Sequence, residues 1–552
     1  MSDLMITDRG LHPIAERTAA AFRRGRINRR EYMATMMGVG VTAAGAYALG
    51  GLAPRRALAQ GTPQQGGTLR VGMLVKAFKD PRAFDWSELG NVARQVNEYA
   101  VRWTADYEFE PQLLESWEIS DDATEYTLNL RRNVTWSNGD AFTAEDMVHN
   151  ITRWCDASAE GNSVAARMGS LVDPDTKQLR DGGVEIVDDH TVKLLLPSPD
   201  ITLVVGMADY PALIMHRSYD GSPDPFEALE VHTGPYKLDE YEASVRARVS
   251  RDENVSWWNE GNGAYLDEIE WIDLGTDPTA EIAAFESEEI DTSYEIKADS
   301  LAQVEALWLL KIDDNATGST ICIRMNVENP PYDNQNVRKA IQLGVDNQVV
   351  LQLGYNNAGI VAANHHVGPM HVEYADIGPH ERNVEESNRL MQEAGEMDTE
   401  FELISIDDDW RRNTTDAVAA QLRDAGYAIK RSVIPGSTFW NDWTKYPFSS
   451  TNWNARPLGI QVINLAYRSG AAWNETAYAN PEFDKMLDEA LATPDVEART
   501  ELMAEIERTL RDSGIIIQPY WRSVYRASAE YVMNNPAHQA FEQHFDVVWL
   551  ET

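Results

Sequence analysis

Trp136-Ser137-Asn138-Gly139-Asp140-Ala141-Phe142-Thr143-Ala144-Glu145-Asp146 compresses a turn and a helix start into one short stretch. Ser137-Asn138-Gly139-Asp140 sets turn formers side by side, with a glycine available for a left-handed backbone. Thr143, with Asp146 three residues on, reads as a helix N-cap and its reciprocal partner. Met147, Ile151 and Trp154 then recur at helical spacing. Just upstream, Tyr126, Leu128 and Leu130 alternate as in a half-buried strand. The same alternation returns at Val192, Leu194, Leu196 and at Val245, Ala247, Val249. Two further helices are signalled. Asp333 precedes Val337, Ala340, Ile341 and Val345, and Asn480-Pro481-Glu482 reads as N-cap, N1 and N2 before Phe483, Met486, Leu487, Ala490 and Leu491. Strands and helices interleaved by short turns predict an α/β architecture.

Composition narrows the function classes. The chain has 552 residues, 43% hydrophobic and 25% charged, which provides for several packed domains and excludes wholesale disorder. Lys and Arg total 48 against 88 Asp and Glu, a net charge of −40, so the surface is wrong for a phosphate polyanion and no nucleic-acid partner is expected. Two cysteines exclude a disulfide framework and any four-cysteine metal site. Cys155 continues the helical pattern of Met147, Ile151 and Trp154, and Cys322 sits in the strand-like run Thr320-Ile321-Cys322-Ile323. Buried free thiols are therefore expected rather than a pair, although an oxidising compartment would permit pairing.

The first 59 residues differ in kind. They carry nine Arg and four acids, a net of +5, while the remainder carries −45. Arg29-Arg30-Glu31-Tyr32-Met33 opens an uncharged stretch that runs to Ala53, and Ala57-Leu58-Ala59 precedes Gln60 as a small-x-small cleavage site. This resembles a twin-arginine (Tat) export signal spanning 1–59. An uncleaved anchor is the alternative, since the stretch is long enough to span a bilayer. Its glycine content and cleavage site favour removal, and with no cysteine at that site a lipid anchor is disfavoured.

Along the rest of the chain a series of blocks accumulates. Gly66-Gly67-Thr68-Leu69-Arg70-Val71-Gly72 is followed by Pro111-Gln112-Leu113-Leu114-Glu115-Ser116-Trp117, by the opening stretch above, and by Thr233-Gly234-Pro235-Tyr236-Lys237-Leu238. Asn254-Val255-Ser256-Trp257-Trp258 comes next, then Asn326 with Pro330-Pro331-Tyr332-Asp333-Asn334, and last Tyr478-Ala479-Asn480-Pro481-Glu482-Phe483-Asp484. In this order they resemble the extracytoplasmic solute-binding proteins of the dipeptide, oligopeptide and nickel class (solute-binding family 5) over residues 66–540. The resemblance implies a two-lobed type II periplasmic binding protein fold with an extra subdomain in lobe I. Lobe I would comprise 66–274 and 519–552 and lobe II 275–518, with crossings near Asp273-Leu274-Gly275-Thr276 and Gln518-Pro519-Tyr520. It also implies a monomeric periplasmic receptor that hands a small organic solute (peptide-like, opine-like or amine) to an ABC permease and its ATPase, with no cofactor.

The resemblance also locates a site. In peptide-binding members an Asp four residues before a Pro takes the ligand amine; here Trp453 stands there in Asn452-Trp453-Asn454-Ala455-Arg456-Pro457. That departure puts an ordinary free-amine dipeptide in doubt, while Trp453 offers a stacking face and Arg456 a two-pronged grip on an anion. Asn326, Trp453, Asn454, Arg456 and Trp473 are the lobe II candidates, with core packing as the alternative role for the two tryptophans. From lobe I, Phe84, Asp85 and Trp86 follow the first strand, where loops face the cleft, or else form a turn packed on their own lobe. Signatures of catalysis are absent: no Gly-x-Ser-x-Gly, His-Glu-x-x-His, Walker loop or Cys-x-x-Cys. The protein is expected not to be an enzyme, with an exported hydrolase or a chemosensor receptor as alternatives. His365, His366 and His371 are the nearest thing to a metal cluster, but Gly359, Gly368 and Pro369 mark the segment as a surface loop, and no metal role is assigned.

Overall fold

A computed structural model describes residues 62–307, 310–407, 409–440, 442–471 and 473–551, of which Pro63 onward cluster as one unit. The export-signal reading falls outside the described residues. In chain order the elements that position the site are β1 (Thr68–Gly72), α1 (Ser87–Val96), β2 (Leu114–Ile119), β3 (Glu125–Leu130) and α2 (Ala144–Trp154). Then come β4 (Val184–Asp188), β5 (Thr191–Leu195), β6 (Tyr236–Glu242), β7 (Arg246–Arg251), β8 (Glu268–Ile272), β9 (Thr292–Ser293) and β10 (Leu310–Met325). The second half adds α3 (Gln335–Leu343), β11 (Glu400–Ile406), α4 (Asp409–Asp424), β12 (Ala428–Ile434) and β13 (Phe448–Trp453). It closes with α5 (Gly459–Tyr467), α6 (Pro481–Leu491), α7 (Val496–Ser513) and β14 (Tyr520–Ala529).

The opening stretch folds as its residues dictate. Gly139 takes φ 93°, and Asp140 N donates to Asn138 Oδ1 at 2.9 Å, closing the turn. Thr143 N donates to Asp146 Oδ2 at 2.9 Å, the return arm of a capping box that starts α2. Met147, Ile151 and Trp154 then bury against Tyr126, Leu128, Leu130, Val192 and Leu194, the inward faces of an antiparallel sheet ordered β2-β3-β5-β4. This small sheet and its helix form the extra subdomain. Asn480 caps α6 by accepting from Glu482 N and Phe483 N, as the sequence predicts. One local expectation shifts: Val245 lies in the turn before β7 and is exposed. Asn334 caps α3, its side chain accepting from Asn336 N.

The main sheet runs β12-β11-β13-β10-β14-β9-β1-β8-β7-β6, with two short strands off this path. Around β1 the pairing with β8 and β9 is parallel; around β11 the pairing with β12 and β13 is parallel. Antiparallel β10 and β14 join these two halves. β10 pairs with β14 from Leu310 to Ala316 and with β13 from Thr320 to Met325, and its register shifts between Ala316 and Thr320. β10 thus pairs at one end with β14 and at the other with β13, linking the two halves of the sheet. After residue 276 the chain returns to β1 through β9, and Ala284, Phe285, Ile290 and Val304 pack with Ala527 of β14. Cys155 and Cys322 are both buried free thiols.

Candidate functional site

A hollow of about 600 Å3, counting its open mouth, lies between the extra subdomain and the segment that follows β13. Arg167 and Asp209 line it on the subdomain side; Arg456, Gln461, Asn464 and Trp473 line it on the other. The two sides also interlock through apolar groups. Ala455 is buried in the subdomain's core, and Ala123 and Ile201 of the subdomain are buried in the core of the second half. Backbone bonds fix the post-β13 segment: Ala455 N donates to Ser319 Oγ at 2.9 Å, and Arg456 O lies 3.1 Å from His371 Nε2.

The two guanidinium groups in the hollow have unequal company. Arg167 Nε donates to Asp209 Oδ2 at 2.5 Å, with Nη2 at the same distance, and Nη1 reaches the Ser163 carbonyl. Arg456 donates through Nη1 to the carbonyl of its own neighbour Ala455 at 3.3 Å. Burial, and then the like charge of Arg167, hold the Arg456 pKa below its usual range. Burial works upward on Asp209, but Arg167 and Arg456 outweigh it and keep that carboxyl below the usual carboxylate range.

Beside this hollow runs a ladder of indoles. Trp440, Trp443, Trp453 and Trp473 are edge-to-face neighbours with centroids 6.3, 6.3 and 6.0 Å apart. The inner rung, Trp453, is buried, while the end rungs Trp440 and Trp473 are 42% and 40% exposed. Glu475 holds the buried part. Its Oε1 accepts from Trp453 Nε1 at 2.9 Å, and its Oε2 from Arg324 Nε at 2.8 Å and Thr451 Oγ1 at 2.6 Å. Arg324 in turn donates to the carbonyls of Tyr446 and Trp443, so one buried ion pair fixes both a strand and the loop that carries Trp443.

A second hollow opens where the parallel strands β1, β8 and β9 end, the side of an α/β sheet on which ligands bind. Glu88, Glu281, Tyr294 and Glu295 line it. Burial, and then Glu295, push the Glu281 carboxyl up to about 8. Glu295 also pairs with Arg522 at 3.3 Å on strand β14.

The predicted residues divide. Trp453, Arg456 and Trp473 come together as described, and Asn454 is exposed beside them. Phe84 points inward instead: it is fully buried, edge-to-face with Phe78 at 5.3 Å, and belongs to the core of the β1 half. Asn326 is also structural, since its Oδ1 accepts from Glu328 N and Asn329 Nδ2 and its Nδ2 donates to the Glu475 carbonyl. Asp85 is exposed and paired with Lys79 at 2.7 Å, and Trp86 is 54% exposed beneath Lys76 Nζ at 4.7 Å. The histidine segment is not a surface loop. His365, His366 and His371 are buried and face different partners: Glu507 at 2.7 Å, Tyr467 Oη at 3.0 Å and the Arg456 carbonyl. Burial pushes His366 down to about 3, so its ring is neutral. Among the described residues the one three-ligand grouping is His538, Glu542 and His544, where Arg94 Nη1 already donates to Glu542 Oε2 at 2.9 Å. Sequence reasoning missed Arg167, Asp209 and the pair Trp440 and Trp443; only the latter pair, three apart, left a local signal.

Parallel strand groups on either side of two antiparallel linking strands define a two-lobed α/β fold. The sequence model of the bacterial extracellular solute-binding proteins, family 5 (Middle), matches residues 108–475, and the chain belongs to that family. Among curated relatives, the dipeptide-binding protein DppE of Bacillus subtilis is 23% identical over 86% of this chain and 90% of its own. Among solved structures, clavulanic acid biosynthesis oligopeptide binding protein 2 superposes with a TM-score of 0.79 at 20% identity, covering 89% of this chain and 96% of that one. AgaA of A. tumefaciens R10, solved with agropinic acid, gives a TM-score of 0.72 at 19% identity over 88% of this chain and 99% of that one. These relatives are binding proteins. Among the described residues no helix is long and apolar enough to cross a membrane.

Proposed function

We propose that the chain is the periplasmic receptor of an ABC importer, exported through its Arg29-Arg30 signal, that closes its two lobes on a small organic solute and presents it to a membrane permease. The observation that carries this reading is the joining of two sheet halves by β10 and β14, with a hollow lined from both sides. Two linking strands are a hinge, and the apolar contacts of Ala455, Ala123 and Ile201 are what a closed state would bury. Asp85 and Trp86 would join the cleft wall on the β1 side. The relatives' cargoes, a dipeptide for DppE and agropinic acid for AgaA, support a peptide-like or opine-like solute.

Closure has a direct readout. A panel of peptides, opines, amines and sugars is expected to contain a solute that makes the particle more compact by small-angle scattering. At 100 times its Kd that solute should raise stability by about 2.7 kcal/mol. Saturated binding with an unchanged radius would count against the hinge. Export is tested separately: Arg29→Lys with Arg30→Lys should leave folded precursor in the cytoplasm, and normal periplasmic accumulation would remove the twin-arginine reading.

A further inference from the structure

We propose that the hollow between Arg167 and Trp473 is a carboxylate subsite, so that the cargo is an organic monoanion with an apolar or flat body. The inference rests on the receptor reading and adds the chemical class. In a chain with 88 acids and 48 bases, this hollow is lined, among the described residues, by two guanidinium groups and a single carboxylate. Asp209 is held by Arg167 through two N–H groups, whereas among the described residues Arg456 has one hydrogen bond, to an adjacent peptide carbonyl. A guanidinium brings five donors in a planar fork, so Arg456, which lines the hollow, has donors to offer beyond that one bond.

The neighbouring amides point the same way. Gln461 uses its Oε1 to accept from Leu458 N at 3.1 Å, which leaves its amide N–H groups to offer. Asn464 uses its Oδ1 to accept from Arg468 Nε at 2.5 Å, and again the donors remain. Three side chains with donors to offer thus line one space, beside the half-exposed indole of Trp473 and the apolar Leu465 and Val205. Charge selects the anion. Two cations and one Asp leave a single positive charge, which a carboxylate balances and a phosphate monoester, at −1.5 to −2, overshoots.

The test uses a panel of matched pairs: N-acetyl tripeptides, N-acyl amino acids and aryl acids, each as the free acid and as its primary amide. Binding is read by native mass spectrometry and calorimetry on the full mature chain. At least one free acid is expected to bind roughly 30-fold or more tightly than its amide. Arg456→Gln should erase that preference without lowering the melting temperature of the unliganded protein. Arg456→Lys should restore part of it, because the charge returns without the planar fork. The proposal is overturned if amides match their acids, if Arg456→Gln keeps the preference, or if no acid binds. A sugar or amine that closes the lobes while the acids do not would leave the receptor reading standing and remove this one.

Discussion

Glu475→Ala is expected to lower the unfolding free energy by about 3–5 kcal/mol, the scale for leaving a buried charge without its partner. The Arg324 side chain has no exposure and that of Glu475 has 3%, so water cannot take over when the carboxylate is removed. Three donors lose their acceptor at once: Arg324 Nε, Thr451 Oγ1 and Trp453 Nε1. The last of these couples stability to the aromatic wall, because Trp453 is the rung between Trp443 and Trp473. A change in near-ultraviolet circular dichroism should therefore accompany the fall in urea midpoint. Glu475→Gln keeps an acceptor and should cost less. The exposed pair Arg389 and Glu386 is the control: solvent screens it, and its loss should leave the urea midpoint nearly unchanged. A Glu475→Ala effect as small as that would show that Arg324 is satisfied by the carbonyls of Tyr446 and Trp443.

What was legible in the sequence was what is local. The Thr143 and Asp146 box, the Gly139 turn and the Asn480 cap each depend on residues within a few positions, and each folds as read. The strand that returns the chain to β1, Thr292–Ser293, is too short to show any alternation and left no signal. Placing a loop beside the cleft does not orient its side chains, so Phe84 went to the core while Trp86, two residues on, stayed outside. Glycines and proline around His365 and His366 suggested exposure. The backbone there is instead paired, with Ala362 N on the Pro519 carbonyl and Trp521 Nε1 on the His366 carbonyl. Arg167 and Asp209 meet Arg456 from more than 240 positions away, and no spacing rule in one sequence connects them.

The Trp257-Trp258 block, recognisable as a motif but mute as chemistry, also finds its meaning at a distance and leads to the other large expected effect. Both indoles donate to Glu98: Trp257 Nε1 to Oε1 at 3.2 Å, and Trp258 Nε1 to Oε1 at 2.9 Å and to Oε2 at 3.1 Å. Glu98 is 2% exposed. Burial pushes its pKa up from 4.5 to about 7, against the pull of the two indole N–H groups, and nearby Asp546 adds to the rise. The folded state thus holds this proton more tightly than the unfolded chain does. Its contribution to stability is full below about pH 4.5 and is lost as pH rises through about 7. A shift of this size corresponds to up to about 3 kcal/mol between those limits. Glu98→Gln keeps an oxygen for the indoles and cannot ionise. Its stability relative to the parent should therefore climb from pH 5 to pH 8, by up to about 3 kcal/mol in urea unfolding. Taking the difference cancels the titration of all other groups common to both proteins. A difference that stays flat across that window would mean the carboxylate is ionised in the fold at pH 5, stabilised by the indoles well enough to overcome its burial.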